Sequence, residues 1–137
     1  MDAKLLEAFV REVDEQAGFA LGAAKGVNAG LVAESQEQVW FSVRALLTAA
    51  ANISKCLWPA KGRATAASFP DRGETLRRAL GVGDDSPLAS RDLRNHFEHM
   101  DERLEAWWLE DERHNLARRI IGPFDSIVGL EPGSMFE

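Results

Sequence analysis

The side chains with the widest chemical reach lie together between residues 92 and 103. Asp92, Arg94, Asn95, His96, His99 and Arg103 fall within about three helical turns. Two of the three histidines are among them. Three kinds of chemistry fit this set. In the first, the histidines and arginines pair with Asp92, Glu98, Asp101 and Glu102 across a solvated helix face, which adds little stability. In the second, His96 and His99 bind a divalent ion with Asp92, four residues before His96. That spacing is permissive, but no fourth ligand is evident and the glutamate of an H-E-x-x-H site is missing, so no metal is expected. In the third, an arginine steadies phosphate charge while a histidine moves protons near neutral pH, the equipment of acid–base chemistry on RNA.

The element that must position these residues is a helix. Ser86 is a fitting N-cap and Pro87 a favoured first helical residue. Leu88, Leu93, Phe97, Met100, Leu104, Trp107 and Trp108 then follow the helical period, which predicts a helix reaching about Asn115. Leu93, Phe97, Met100, Leu104, Trp107 and Trp108 form its core sector. Asp92, His96, His99 and Arg103 share an adjacent polar stripe, and Arg94 lies on the other flank near Asp101. Arg94 and His99 diverge by roughly 140° on an ideal helix. A single helix cannot aim both at one small target, so a shared site needs long reach or a partner molecule.

The run Arg94-Asn95-His96-Phe97-Glu98-His99 resembles the signature of the HEPN superfamily, small all-helical domains with Arg, a polar residue, three further residues and His on a late helix. The likeness in architecture covers most of residues 1–115, and its sharp part covers those six residues. It implies metal-independent endoribonuclease activity, with the Arg and His of two subunits facing each other across a dimer cleft. Carried over, Arg94 would stabilise the phosphate and Asn95 would orient the phosphate or the catalytic groups. His99 would be the acid–base group in attack by the RNA 2′-hydroxyl, leaving a cyclic phosphate end. His96 occupies a variable position of the motif, and with Arg103 it is a secondary candidate. Some family toxins carry a Tyr two residues after the His as a target of modification; here Asp101 stands there and the chain has no tyrosine. The resemblance also allows a toxin or defence effector with a protein antitoxin, and non-catalytic binding modules occur in the family.

The rest of the chain reads as scaffold. Leu5, Leu6, Phe9, Val10, Val13 and Ala17 predict a helix from Asp2, its N-cap, to about Leu21. The glycine-rich run from Gly22 to Gly30 predicts an interhelical turn, because the Walker spacing and a preceding strand are missing. A second helix is expected from Leu31 to Leu57, with Val39, Val43, Leu46, Leu47, Ala50, Ile53 and Leu57 inward. Trp58-Pro59 ends it. Residues 60–71 read as a loop, and Lys55, Lys61, Arg63 and Arg72 give this region a positive balance that a solvated connector explains. A short helix follows from Gly73 to Leu80, with Leu76, Ala79 and Leu80 inward and Arg77 and Arg78 outward, stopped by Gly81 and Gly83. Residues 116–137 are less regular, and 126–130 has the look of a short strand or extended tail.

These elements predict an all-α fold, an antiparallel helical bundle of three long helices plus a short one, over residues 1–115. Residues 116–137 form a C-terminal extension. At 137 residues the chain is long enough for a core without disulfides, and its single cysteine, Cys56, excludes an intrachain one. A formal charge of −6 argues against indiscriminate binding to nucleic acid. No secretory signal or membrane span is evident, so a cytoplasmic location is expected. The expected partners are RNA, a second copy through the motif helix and an antitoxin; no cofactor and no membrane are expected. The competing expectation is a non-catalytic helical interaction module, in which Trp40, Phe41, Trp107 or Trp108 contributes to an apolar interface.

Overall fold

The computed structural model describes residues 1–90 and 99–110. Those residues form helices joined by turns, with no strand among them, as the all-α expectation has it. Contacts divide the chain into two compact units, Met1–Arg94 and Asn95–Glu137. The expected strand, the C-terminal extension and the boundary at 115 lie outside the described residues.

In the first unit, α1 spans Ala3–Val32 and starts as the sequence predicts: Asp2 Oδ1 accepts from the Lys4 backbone N–H at 2.8 Å. It does not stop at the glycine run. The helix continues through Gly22, Gly26 and Gly30, which corrects the expected turn. The reason lies in what the glycines face. A Cβ on Gly30 would sit 2.8 Å from Val39 Cγ2 and 2.9 Å from the Val39 backbone nitrogen; one on Gly26 would sit 2.5 Å from Ser42 Oγ. Here α1 and α2 pack so closely that a side chain on α1 would collide with its neighbour. Tertiary contact overrides the poor helix propensity of glycine, about 1 kcal/mol per residue relative to Ala.

The true end of α1 is a Schellman turn. The Ser35 N–H donates to Gly30 O at 2.9 Å and the Glu34 N–H to Leu31 O at 3.2 Å. Glu34 takes the left-handed position, φ 53°, that glycine usually fills. Ser35 then caps α2, Gln36–Leu57, its Oγ accepting from the Gln38 N–H at 3.3 Å. The second helix therefore starts five residues later than predicted from Leu31. It ends where expected, with the Trp58 N–H on Ser54 O at 2.8 Å and Pro59 next. Contacts step down α1 from Gly30 to Gly26 to Gln16 as they step up α2 from Val39 to Ser42 to Asn52, so the two helices run antiparallel.

The core gathers at the far end of this hairpin from its turn. Val13, Ile53, Leu57 and Leu76 are buried together, with Leu6, Phe9, Val10, Ala17, Trp58 and Leu88 packed around them. α3, Arg72–Leu80, supplies Leu76, which is fully buried, and ends at Gly81 with φ 67° as predicted. Two expectations for α3 are corrected. Ala79, expected inward, is exposed, and Arg77, expected outward, is turned in, its side chain only 17% exposed. The cause is the C-terminal end of α2, whose last carbonyls lack helical partners. Arg77 Nη1 donates to Leu57 O at 2.7 Å. Gly73 makes the approach possible, since a Cβ there would lie 2.6 Å from Leu57 O and from Pro59 Cδ.

Ser86 caps a short 3-10 turn, Pro87–Ala89, accepting from the Leu88 N–H at 3.4 Å. Ser90 is then extended, φ −61° and ψ 131°. The helix predicted to run unbroken from Pro87 is thus interrupted before the motif. In the second unit, α4 spans Met100–Glu110.

Candidate functional site

Of the predicted site residues, His99 and Arg103 belong to the described part of the chain. Arg94, Asn95 and His96 lie outside it, as does Asp92 of the metal reading. His99 sits at the N-terminal boundary of α4, where its carbonyl accepts the first helical bond, from the Arg103 N–H at 3.0 Å. Its side chain is about half exposed, and Nδ1 lies 3.3 Å from Glu102 Oε2. A carboxylate beside Nδ1 favours a proton on that nitrogen and leaves Nε2 as the acceptor. Asp101 and Glu102 in the first turn complement the positive end of the helix dipole, so the acidic residues beside the motif have a local structural role. Arg103 is exposed one turn along from His99. Among the described residues no group of three or more His, Cys, Asp and Glu side chains is arranged to hold a metal ion.

Within the second unit, the described side chains on the apolar side of α4 differ in exposure, and Trp107 is half-buried. Leu104 is 37% exposed, Trp108 57% and Leu109 85%. With Glu105 they line an open, apolar groove. Trp107 and Trp108 meet edge to face, ring centroids 6.1 Å apart. In the first unit Phe41 is also exposed, and the indole N–H of Trp40 is buried without an acceptor.

The arginines around α3 are a cluster that the sequence presents only as local positive charge. Arg77 touches three things at once: the Leu57 carbonyl, Asp84 Oδ1 at 2.8 Å, and the face of Trp58, 5.3 Å from its ring centroid. Arg72 lies over the Phe9 ring, 4.7 Å from its centroid, and its Nη2 donates to Lys55 O at 3.0 Å. Arg63 donates from Nη1 to Ala60 O at 3.1 Å and from Nη2 to Phe69 O. The expected solvated connector is therefore a loop held by guanidinium-to-carbonyl bonds. Burial lowers the pKa of Arg72, and the neighbouring charge of Arg63 adds to the shift. Burial also raises the pKa of the Cys56 thiol, with Arg72 opposing and Glu12 reinforcing the shift. The signal that could have found this cluster is position: Arg72 and Arg77 lie on the next helix after one that ends at Trp58-Pro59 with unpartnered carbonyls.

No helix among the described residues is long and apolar enough to cross a membrane. Comparison with protein-family models, with curated proteins and with solved structures finds no match to this chain.

Proposed function

We propose that this chain is an HEPN-like, metal-independent endoribonuclease that acts as a homodimer through the motif helix. The observation that carries the reading is His99: the motif histidine stands exposed at a helix start, with a carboxylate 3.3 Å from Nδ1. Nε2 accepts the proton of an RNA 2′-hydroxyl as that oxygen attacks the adjacent phosphorus. The bond to the leaving 5′-oxygen breaks, a proton returns to that oxygen, and a 2′,3′-cyclic phosphate remains. Arg94 neutralises the charge that builds on the phosphate, and Asn95 orients it. His96 and Arg103 extend the same surface toward the RNA. Supply of Arg94 and His99 by facing subunits would answer the divergence of roughly 140° that one regular helix through both would impose. The helices would complete an antiparallel bundle of three long members and a short one over residues 1–115. As a cytoplasmic toxin or defence effector, the enzyme would be held in check by a protein antitoxin rather than by tyrosine modification, since the chain has no tyrosine.

Purified protein should cut single-stranded RNA in the presence of EDTA and leave cyclic phosphate ends. Arg94→Ala and His99→Ala should each abolish cutting while the circular dichroism and melting curve stay those of the parent. Cutting that survives both substitutions refutes the assignment.

A second reading, a non-catalytic helical interaction module, draws on the exposure of Phe41, Trp108 and Leu109. It predicts a monomer that leaves RNA intact and a partner complex weakened by Trp108→Ala.

A further inference from the structure

The loop before α3 and the first residue of α3 carry two guanidinium groups, Arg63 and Arg72, that form no ion pair among the described residues. Phe69 O accepts both from Arg63 Nη2 and, at 3.4 Å, from the backbone N–H of Arg72, so Arg63 lies against the start of α3. Arg72 reaches back from there to Lys55 O at 3.0 Å. Among the described residues every acceptor found for these two side chains is a backbone carbonyl, and neither side chain forms an ion pair. The nearby carboxylates do other things or stand free: Glu12 accepts from Gln16 Nε2 at 3.0 Å, and Asp71 makes no capping bond at the α3 N-terminus. The Nε–H groups of both arginines are buried without acceptors. Lys61 adds a third positive side chain, exposed, two residues before Arg63.

Two like charges this close repel, and in a protein of net charge −6 the usual remedy, an Asp or Glu, was readily at hand. Each terminal nitrogen of a guanidinium carries two N–H groups, so the nitrogens that bond these carbonyls keep a further donor each, in the planar geometry that suits a tetrahedral oxyanion. We propose that Arg63 and Arg72, with Lys61 at the rim, bind a phosphate group. The site is on the first unit, on residues other than the Arg94–His99 motif, and does not rest on the ribonuclease reading. Its ligand is either a small phosphate compound or the phosphodiester backbone of a polynucleotide.

The test is a thermal melt of the full chain at fixed ionic strength in chloride, with two titrants. One is inorganic phosphate, and the other a short single-stranded RNA without terminal phosphates, used with His99→Ala so that the RNA survives. A ligand at about ten times its Kd should raise Tm by about 3–6 °C, and the rise should saturate. Arg63→Gln should weaken the response to the effective titrant at least tenfold, and Arg63→Lys should weaken it less. A response to phosphate names a small phosphate ligand, and a response to RNA alone names a polynucleotide backbone; both support the site. Melts unmoved by either titrant overturn the proposal. So does a saturating response that Arg63→Gln leaves unchanged. Should Arg63→Gln fail to fold, the parent titrations and Arg63→Lys still decide the matter.

Discussion

The glycines of α1 should respond to alanine substitution in two opposite ways. Gly18, Gly22, Gly26 and Gly30 recur every fourth residue, on one slowly turning face. At Gly18 and Gly22 an added Cβ meets nothing within 4 Å. Alanine there removes backbone freedom from the unfolded chain and improves helix propensity, so each change should stabilise by about 0.5–1 kcal/mol. At Gly30 the added methyl would lie 2.9 Å from a backbone nitrogen of α2 and 2.8 Å from Val39 Cγ2. A flexible side chain can swing away, but the backbone of a packed helix moves only with its whole contact surface. Overpacking of this kind costs about 1–3 kcal/mol, against which the propensity gain is about 1. Gly30→Ala should therefore be neutral to destabilising by about 2 kcal/mol, and should fall about 1–3 kcal/mol below Gly22→Ala. Gly26 is intermediate, because its obstacle is a hydroxyl, Ser42 Oγ at 2.5 Å. Ser42→Ala should recover part of the loss, with a coupling energy of about 0.5–2 kcal/mol in the double-mutant cycle. Urea unfolding followed by circular dichroism reads all of these. If Gly30→Ala stabilises as much as Gly22→Ala, the close approach of α1 and α2 is wrong, and with it the account of why the helix crosses the glycine run.

The remaining predictions concern caps, core and titration. Glu34→Gly should stabilise by up to about 1 kcal/mol in the same assay, since it relieves a left-handed conformation that costs a non-glycine residue about that much; a loss of stability would refute the Schellman assignment. Arg77→Met should destabilise by about 1.5–3 kcal/mol through the lost Leu57 carbonyl bond and Trp58 contact. Asp84→Ala, by contrast, should cost no more than about 0.5 kcal/mol, because Asp84 is exposed. Leu76→Ala should cost about 2–5 kcal/mol and shift the urea midpoint without changing the slope. Burial raises the Cys56 thiol pKa, so the folded protein holds that proton to higher pH than the unfolded chain. Stability should be unaffected below the unfolded thiol pKa of about 8.5 and should fall as pH rises above it; Cys56→Ala should remove that part of the alkaline slope.

The helices themselves were largely legible, because burial on one side imposes a period that sequence displays. Val13, Ile53, Leu57 and Leu76 were all assigned inward, and all are buried. What misled was punctuation. Glycine is the common residue after a helix, and α1 has a run of it, yet the residue that fills the left-handed position is Glu34. Two of the glycines serve the opposite purpose, letting a neighbouring helix come close, and whether a glycine ends a helix or admits a partner depends on a segment distant in sequence. The inward turn of Arg77 and the outward turn of Ala79 have the same origin. The helical period of α3 places both near the edge of its buried face, and the choice between them is made by unpartnered carbonyls at the end of α2. Of the candidate site, the sequence located His99 on a helix but not its place at the first residue boundary. Ser86 and Pro87 offered an earlier start, and the 3-10 turn they begin ends at Ser90.

That interruption bears on the chemistry. The divergence of roughly 140° between Arg94 and His99 assumes one regular helix through both. Ser90 is extended, and helix α4 begins at Met100, with His99 as the residue whose carbonyl receives its first bond. The local pairing of His99 with Glu102 needs only the first turn of α4. Glu102→Gln separates the two uses of that pair. If the carboxylate merely decorates a helix start, RNA cutting should be unchanged. If it sets the imidazole for proton transfer, the cutting rate should fall about 10-fold or more, the order of loss seen when the group orienting a catalytic or metal-bound histidine is removed.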